Sequence, residues 1–259
     1  MTANQSQENV TTTNTRVLVI GGSGKVASIA IPQYSNDYEI TAMLRREEKA
    51  EEARDNGATP LVQDVTTLSA DQWAALVRDF DVVVWTAGNG GRAGADVTYA
   101  VDRDAALECI KGLEQLQNEV GKDRAPRLIM VSYMGSLDNE TDDQGAWLAY
   151  VESKKTVDKR LLDSDLNYII LAPTLLTLDP AQGITVTENT PEKAGEKTSR
   201  ELVGQVIFEL AGRAELPNQD FICLPRWQRS SELYLTGSCA CCAVPHEDSE
   251  QLIAPFRVN

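Results

Sequence analysis

Val17-Leu18-Val19-Ile20 is an unbroken apolar run that ends directly on Gly21. Such a run suits a strand buried on both faces, which occurs mainly in parallel sheets covered by helices. The cluster Gly21-Gly22-Ser23-Gly24 then opens a segment, Lys25 to Gln33, that reads as a helix stopped near Pro32. The alternation repeats down the chain. Ile40 to Leu44 reads as a second strand, Glu47 to Asn56 as a helix closed by Gly57, and Leu61-Val62 as a third strand. Ser69-Ala70-Asp71-Gln72 is a capping box for the helix running through Trp73 and Leu76. Asp81 to Trp85, Arg127 to Val131, Tyr168 to Leu171 and Phe221 to Leu224 read as further strands. Helices are expected over Tyr99 to Glu119, Ala146 to Asp163 and Arg200 to Ala211. This order predicts an α/β chain: a doubly wound, mainly parallel sheet with helices on both faces.

A length of 259 residues fits one large domain. Residues 1–15 are rich in Asn, Thr and Gln, with neither a basic charge nor an apolar core, so a disordered lead-in is expected rather than a secretory signal. Residues 16–259 are expected to form a single domain whose last part, about 174–259, covers a substrate. The net charge of −15 opposes nucleic acid and anionic membrane as partners. No apolar run approaches the ~20 residues of a membrane-spanning helix, and a cytoplasmic protein is expected. Cys109 and Cys223 lie in apolar stretches and read as reduced core residues. Cys239, Cys241, Cys242 and His246 are too closely spaced for a structural zinc site, and no metal is expected.

Ligands of doubly wound sheets bind beyond the carboxyl ends of the strands. At the first such end, Gly21 permits a tight turn and Gly24 lets the backbone approach a diphosphate; Ala27 lets the new helix pack on its strand. The turn Gly21-Gly22-Ser23-Gly24-Lys25-Val26 would then face the phosphates with the positive end of the helix. The second strand ends in Arg45-Arg46, where NAD enzymes place a carboxylate for the ribose hydroxyls. Guanidinium forks suit a 2′-phosphate, so NADP(H) is expected ahead of NAD(H); two solvated surface arginines are the alternative. Asp64-Val65 follows the third strand and suits an adenine contact, or Asp64 is a plain helix cap. Thr86-Ala87-Gly88, after the fourth strand, is expected beneath the ribose and nicotinamide.

Tyr150 and Lys154 are four residues apart, on one face of a helix. An ammonium near a phenol lowers its pKa, and the phenol can then exchange a proton with a substrate oxygen. Ser132, at the end of the fifth strand, is placed to orient that oxygen.

These stretches resemble the short-chain dehydrogenase/reductase superfamily, in its atypical branch of NAD(P)H-binding reductase-like and epimerase-like Rossmann proteins. The resemblance rests on Val17 to Ala27, Leu44-Arg45-Arg46, Asp81 to Gly88, Val101-Asp102, Val131-Ser132, Tyr150 to Lys154 and Leu171 to Thr174, and Ser199 to Val203 is similar to the opening of the family's late helix. It implies a Ser132/Tyr150/Lys154 catalytic set, Pro173 bordering the nicotinamide together with Val131, and a monomer or homodimer. Ala172 stands where many relatives carry arginine, and Tyr133 where a second serine is frequent. From Pro225 onward the resemblance ends, so a small or flat substrate is expected. The expected function is an NADP(H)-dependent oxidoreductase acting on a small carbonyl or alcohol. The alternatives are a non-catalytic NAD(P)H sensor and a sugar-nucleotide epimerase.

Overall fold

The computed structural model describes residues 15–181 and 197–224. All but the last residue of the lead-in expected over residues 1–15, most of the covering portion and the cysteine tail Cys239 to His246 lie outside the described residues.

Among the described residues, nine strands and seven α-helices run in chain order: β1 (Arg16–Ile20), α1 (Ala27–Tyr34), β2 (Glu39–Leu44), α2 (Ala50–Asp55), β3 (Thr59–Val62), α3 (Ala70–Val77), β4 (Val82–Trp85), α4 (Ala95–Thr98), α5 (Ala106–Val120), β5 (Arg127–Val131), α6 (Ala146–Leu162), β6 (Tyr168–Pro173), β7 (Leu175–Thr177), β8 (Lys197–Ser199), α7 (Arg200–Gly212) and β9 (Phe221–Leu224). Seven of the strands form one parallel sheet in the order β3-β2-β1-β4-β5-β6-β9. The doubly wound α/β expectation holds. Strand order reverses between β1 and β4, which is where such sheets open a crevice.

The apolar runs explain the two cores. Val17 and Val19 of β1 face one layer with Ile31, Val203 and Phe208, while Leu18 and Ile20 face the other with Trp73, Ile110 and Leu113. A strand with helices on both sides has no polar face to spare, hence its unbroken hydrophobicity. Each of these side chains, fully buried, contributes roughly 1.5–3 kcal/mol before the entropy of ordering it.

Local differences from the sequence expectation have physical causes. α1 ends at Tyr34, one residue past its expected end, where the Tyr34 ring stacks on Phe208 at 4.6 Å, and it begins at Ala27 rather than Lys25. The charged stretch after Arg46 begins as a 3₁₀ turn, Glu47–Lys49, before α2. The Ser69–Gln72 capping box forms as read. The long helix after the fourth strand is continuous from Ala95 to Val120 but widens to a π-helical turn over Tyr99–Ala105. Such turns recur at functional sites. β6 extends two residues beyond its expected end, to Pro173, by pairing with β9. A small parallel pair, β7–β8, forms where no strand was expected; at three residues each, neither strand has a periodicity to detect.

A cleft of about 1060 Å³ lies at the amino end of the sheet among Lys122, Arg124, Asp165 and Glu215. Ligand chemistry in this architecture belongs at the other end. Among the described residues no helix is long and apolar enough to cross a membrane, and no group of His, Cys, Asp and Glu could hold a metal ion.

Candidate functional site

Ile20, at the end of β1, pairs with Met43 on one side and Trp85 on the other. The turn that follows is therefore wedged between the ends of β2 and β4. Gly21 adopts φ +87°, and a Cβ there would meet the Ala87 backbone nitrogen at 2.7 Å. Both the conformation and the space demand glycine. Gly22 donates its amide to Met43 O at 2.9 Å, and Gly24 donates to Gly21 O at 2.8 Å, which curls the loop. A Cβ on Gly24 would meet only Gly21 O, at 3.0 Å, so its other side is open. No side chain caps the start of α1, and its first turn carries no acid. The amides of Lys25, Val26 and Ala27 donate to no acceptor among the described residues. Uncommitted amides above a tight glycine turn fit a diphosphate, the group a dinucleotide would place there.

Arg45 and Arg46 are exposed at the end of β2, as the sequence order requires. Arg46 pairs with Glu48 at 3.4 Å, an exposed contact that an incoming phosphate can displace. The Asp64 Oδ1 accepts from the Thr66 amide at 2.9 Å and its hydroxyl at 2.7 Å, and these bonds hold the carboxyl below its ordinary range. The structure thus realises the capping reading of Asp64, with Val65 opening the 3₁₀ turn behind it. Thr86 donates its amide and hydroxyl to Ile20 O, both at 2.9 Å, which ties the β4 end to the β1 end. Gly88 is required for a different reason: a Cβ there would lie 2.5 Å from Asp102 Oδ1.

Val131, Ser132, Tyr150, Lys154 and Pro173 come from β5, α6 and β6, and they cluster around a set of buried polar groups. Lys154 donates to Val131 O at 2.9 Å, Ser132 Oγ donates to Asp158 Oδ2 at 2.5 Å, and Pro173 O accepts from the Met134 amide at 2.9 Å. Tyr150, Lys154 and Asp158 follow one another at four-residue spacing along α6. Asp158 is fully buried, and burial pushes its carboxyl up to about 6 against the bonds from Ser132 and the Lys154 charge. Asp102, on the π-helical turn, is also buried and raised by burial, with Lys154 again opposing.

Two roles read from the sequence change here. The Ser132 hydroxyl, expected to face a substrate oxygen, is donated inward because the buried Asp158 needs a donor. Lys154, expected to lower the Tyr150 pKa, acts on Asp102 and Asp158. Tyr150 is instead raised, first by burial and then by Asp102, Tyr133 and Asp158, with Arg92 opposing. Its hydroxyl has no hydrogen-bond partner among the described residues. Asp102, Asp158 and Arg92 were not picked out as site residues. Asp158 was detectable, as a carboxylate continuing the Tyr150–Lys154 face by one more turn; Arg92 lies in a glycine-rich loop with no periodicity to flag it.

Residues 21–213 match the profile of the NAD(P)H-binding family. The chain belongs to this family. It is 30% identical over 208 residues to the uncharacterized sugar epimerase YhfK of Bacillus subtilis (strain 168), covering 80% of this chain and 92% of that protein. The solved structure of a putative NAD-dependent epimerase/dehydratase from Bacillus halodurans superposes with a TM-score of 0.69 at 28% identity, covering 83% of this chain and 95% of that one. A short-chain dehydrogenase/reductase from Veillonella parvula DSM 2008, solved with NADP, shares the fold with a TM-score of 0.59 at 20% identity, over 82% of this chain and 94% of that one. The protein is thus a Rossmann-type member of the NAD(P)H-binding family.

Proposed function

We propose that this NAD(P)H-binding protein is an NADP(H)-dependent oxidoreductase working in the direction of carbonyl reduction. One observation carries the reading: Tyr150 lies near the start of α6, which follows the carboxyl end of β5, its hydroxyl has no hydrogen-bond partner among the described residues, and burial pushes its phenol up. A phenol held neutral is a proton donor at neutral pH, which suits an oxygen that gains negative charge. The coenzyme, when bound, supplies or accepts the hydride. The Gly21–Val26 turn would hold its diphosphate, Arg45 and Arg46 its 2′-phosphate, Asp64 Oδ2 and the Val65 amide its adenine, and Thr86, Ala87 and Gly88 its ribose side, with Val131 and Pro173 bordering the nicotinamide. Lys154 would bond the nicotinamide ribose and hold the local charge balance between Asp102 and Asp158. Ser132, whose proton goes to Asp158, would tie the end of β5 to α6 and so help position Tyr150.

Tyr150→Phe tests the assignment. Turnover of a reducible aldehyde should fall by about 10²-fold or more while NADPH affinity stays within a factor of about two. Undiminished turnover would remove Tyr150 from the chemistry. The relatives named as epimerases favour a second reading, in which a sugar nucleotide is oxidised and re-reduced on the protein. That reading predicts coenzyme retained through purification and no net consumption of NADPH. A non-catalytic sensor predicts coenzyme binding and no turnover of either kind.

A further inference from the structure

Gly88 stands between solvent and a buried carboxyl. The residue is exposed, yet a Cβ on it would lie 2.5 Å from Asp102 Oδ1, and Asp102 is only 1% exposed. The next amide, that of Asn89, donates to Asp102 Oδ2 at 3.4 Å. The two oxygens of one carboxyl thus lie against consecutive residues of the loop that follows β4. Asp102 itself sits on the π-helical turn Tyr99–Ala105, where the helix widens.

The helix start just before that turn grips the same loop. Thr98, fully buried, donates its hydroxyl to Gly94 O at 2.7 Å and to Asn89 Oδ1 at 3.1 Å. Asn89 Oδ1 also accepts from the Ala93 amide at 3.4 Å, and Asn89 O from the Arg92 amide at 3.3 Å. Upstream, Thr86 is fixed to Ile20 O through its amide and hydroxyl, both at 2.9 Å. The Gly21 side of the site therefore has an anchor of its own, and the stretch braced by Asp102 begins at Gly88. Burying a carboxyl costs the fold more than burying an apolar side chain would. What the carboxyl adds is a fixed acceptor behind a loop amide, the support that keeps a binding backbone in place.

We propose that Asp102 is a positioning residue for the coenzyme: it holds the Gly88–Asn89 backbone at the level where the nicotinamide ribose rests. This rests on the coenzyme reading above, in which Thr86 to Gly88 run beneath that ribose. Glycine at position 88 answers to the same arrangement, because a side chain there would force Asp102 back or lift the loop.

Titration with NADPH and with 2′-phospho-ADP separates the two halves of the site, since the second ligand keeps the diphosphate and lacks the nicotinamide riboside. The wild type should bind NADPH about tenfold or more tightly than 2′-phospho-ADP. Asp102→Ala should shrink that gap to about twofold through loss of NADPH affinity, leaving 2′-phospho-ADP unchanged. Asp102→Asn still offers an oxygen to the Asn89 amide and should restore most of the gap. Gly88→Ala should weaken NADPH in the same selective way, but by no more than about a further twofold in Asp102→Ala, where the opposing carboxyl is gone. Gly88→Ala alone carries the test where Asp102→Ala does not fold. A wild-type gap in Asp102→Ala or Gly88→Ala would overturn the proposal and leave the coenzyme reading standing. Equal weakening of both ligands, or an Asp102→Asn variant as weak as Asp102→Ala, would overturn it too. Absence of a gap in the wild type would instead refute the placement of the nicotinamide ribose at the end of β4, and the role of Asp102 with it.

Discussion

Gly21 and Gly24 share one turn but ought to respond differently to the same methyl group. At Gly21, alanine must adopt φ +87°, which costs roughly 1–2 kcal/mol. Its Cβ must also push the backbone of Ala87, 2.7 Å from N and 2.8 Å from Cα. That segment is tied to Ile20 by Thr86 and cannot simply rotate away. A total of about 2–4 kcal/mol is expected, lowering Tm by roughly 5–15 °C for a chain of this size. At Gly24 the only close neighbour is Gly21 O at 3.0 Å, which yields by a few tenths of an ångström. The cost to folding should stay under about 1 kcal/mol, a Tm change of no more than roughly 4 °C. Its methyl instead occupies the space a diphosphate needs, so NADPH affinity should fall by about tenfold or more. Thermal unfolding followed by circular dichroism, paired with NADPH fluorescence titration, reads both quantities. A Gly24→Ala variant that binds NADPH like the wild type, or melts as early as Gly21→Ala, would refute this division of labour.

Asp158 gives a pH prediction. Its folded-state pKa of about 6 lies above the ordinary 3.8, so its stabilising contribution is complete below about 3.8 and is lost as pH rises through 6. Asp158→Asn, uncharged throughout, should therefore gain stability relative to the wild type between pH 4 and 7.5, with a ceiling on the order of 3 kcal/mol; urea melts showing a pH-independent difference would contradict it. Ser69→Ala removes the cap of α3 and should cost about 1 kcal/mol, or roughly 2–4 °C in Tm, without altering coenzyme affinity. A variant that loses affinity as well would mean that α3 bears on the site.

The sheet was legible because most of its strands carry a short apolar run, as in Val17–Ile20, Val82–Trp85 and Ile169–Leu171. β5 and β9 were placed to the residue. The β7–β8 pair was not, since three-residue strands carry no pattern. The π-helical turn was invisible for another reason: widening a helix by one residue leaves its amphipathic face intact. At the site, Gly21, Arg45 and Thr86 could be placed from their positions at strand ends. The roles of Ser132 and Lys154 could not, because they depend on Asp158 and Asp102, and burial of a carboxylate is a tertiary fact.

The proposed preference for NADP(H) rests on Arg45 and Arg46, the two arginines that follow β2. Fluorescence titration of the wild type with NADPH and NADH, repeated on the Arg45→Ala/Arg46→Ala double variant, tests it directly. The expected result is NADPH bound about tenfold or more tightly than NADH, with the gap closing in the variant through loss of NADPH affinity alone. Equal affinities in the wild type, or a gap that survives removal of both guanidiniums, would contradict the assignment of the 2′-phosphate to this strand end.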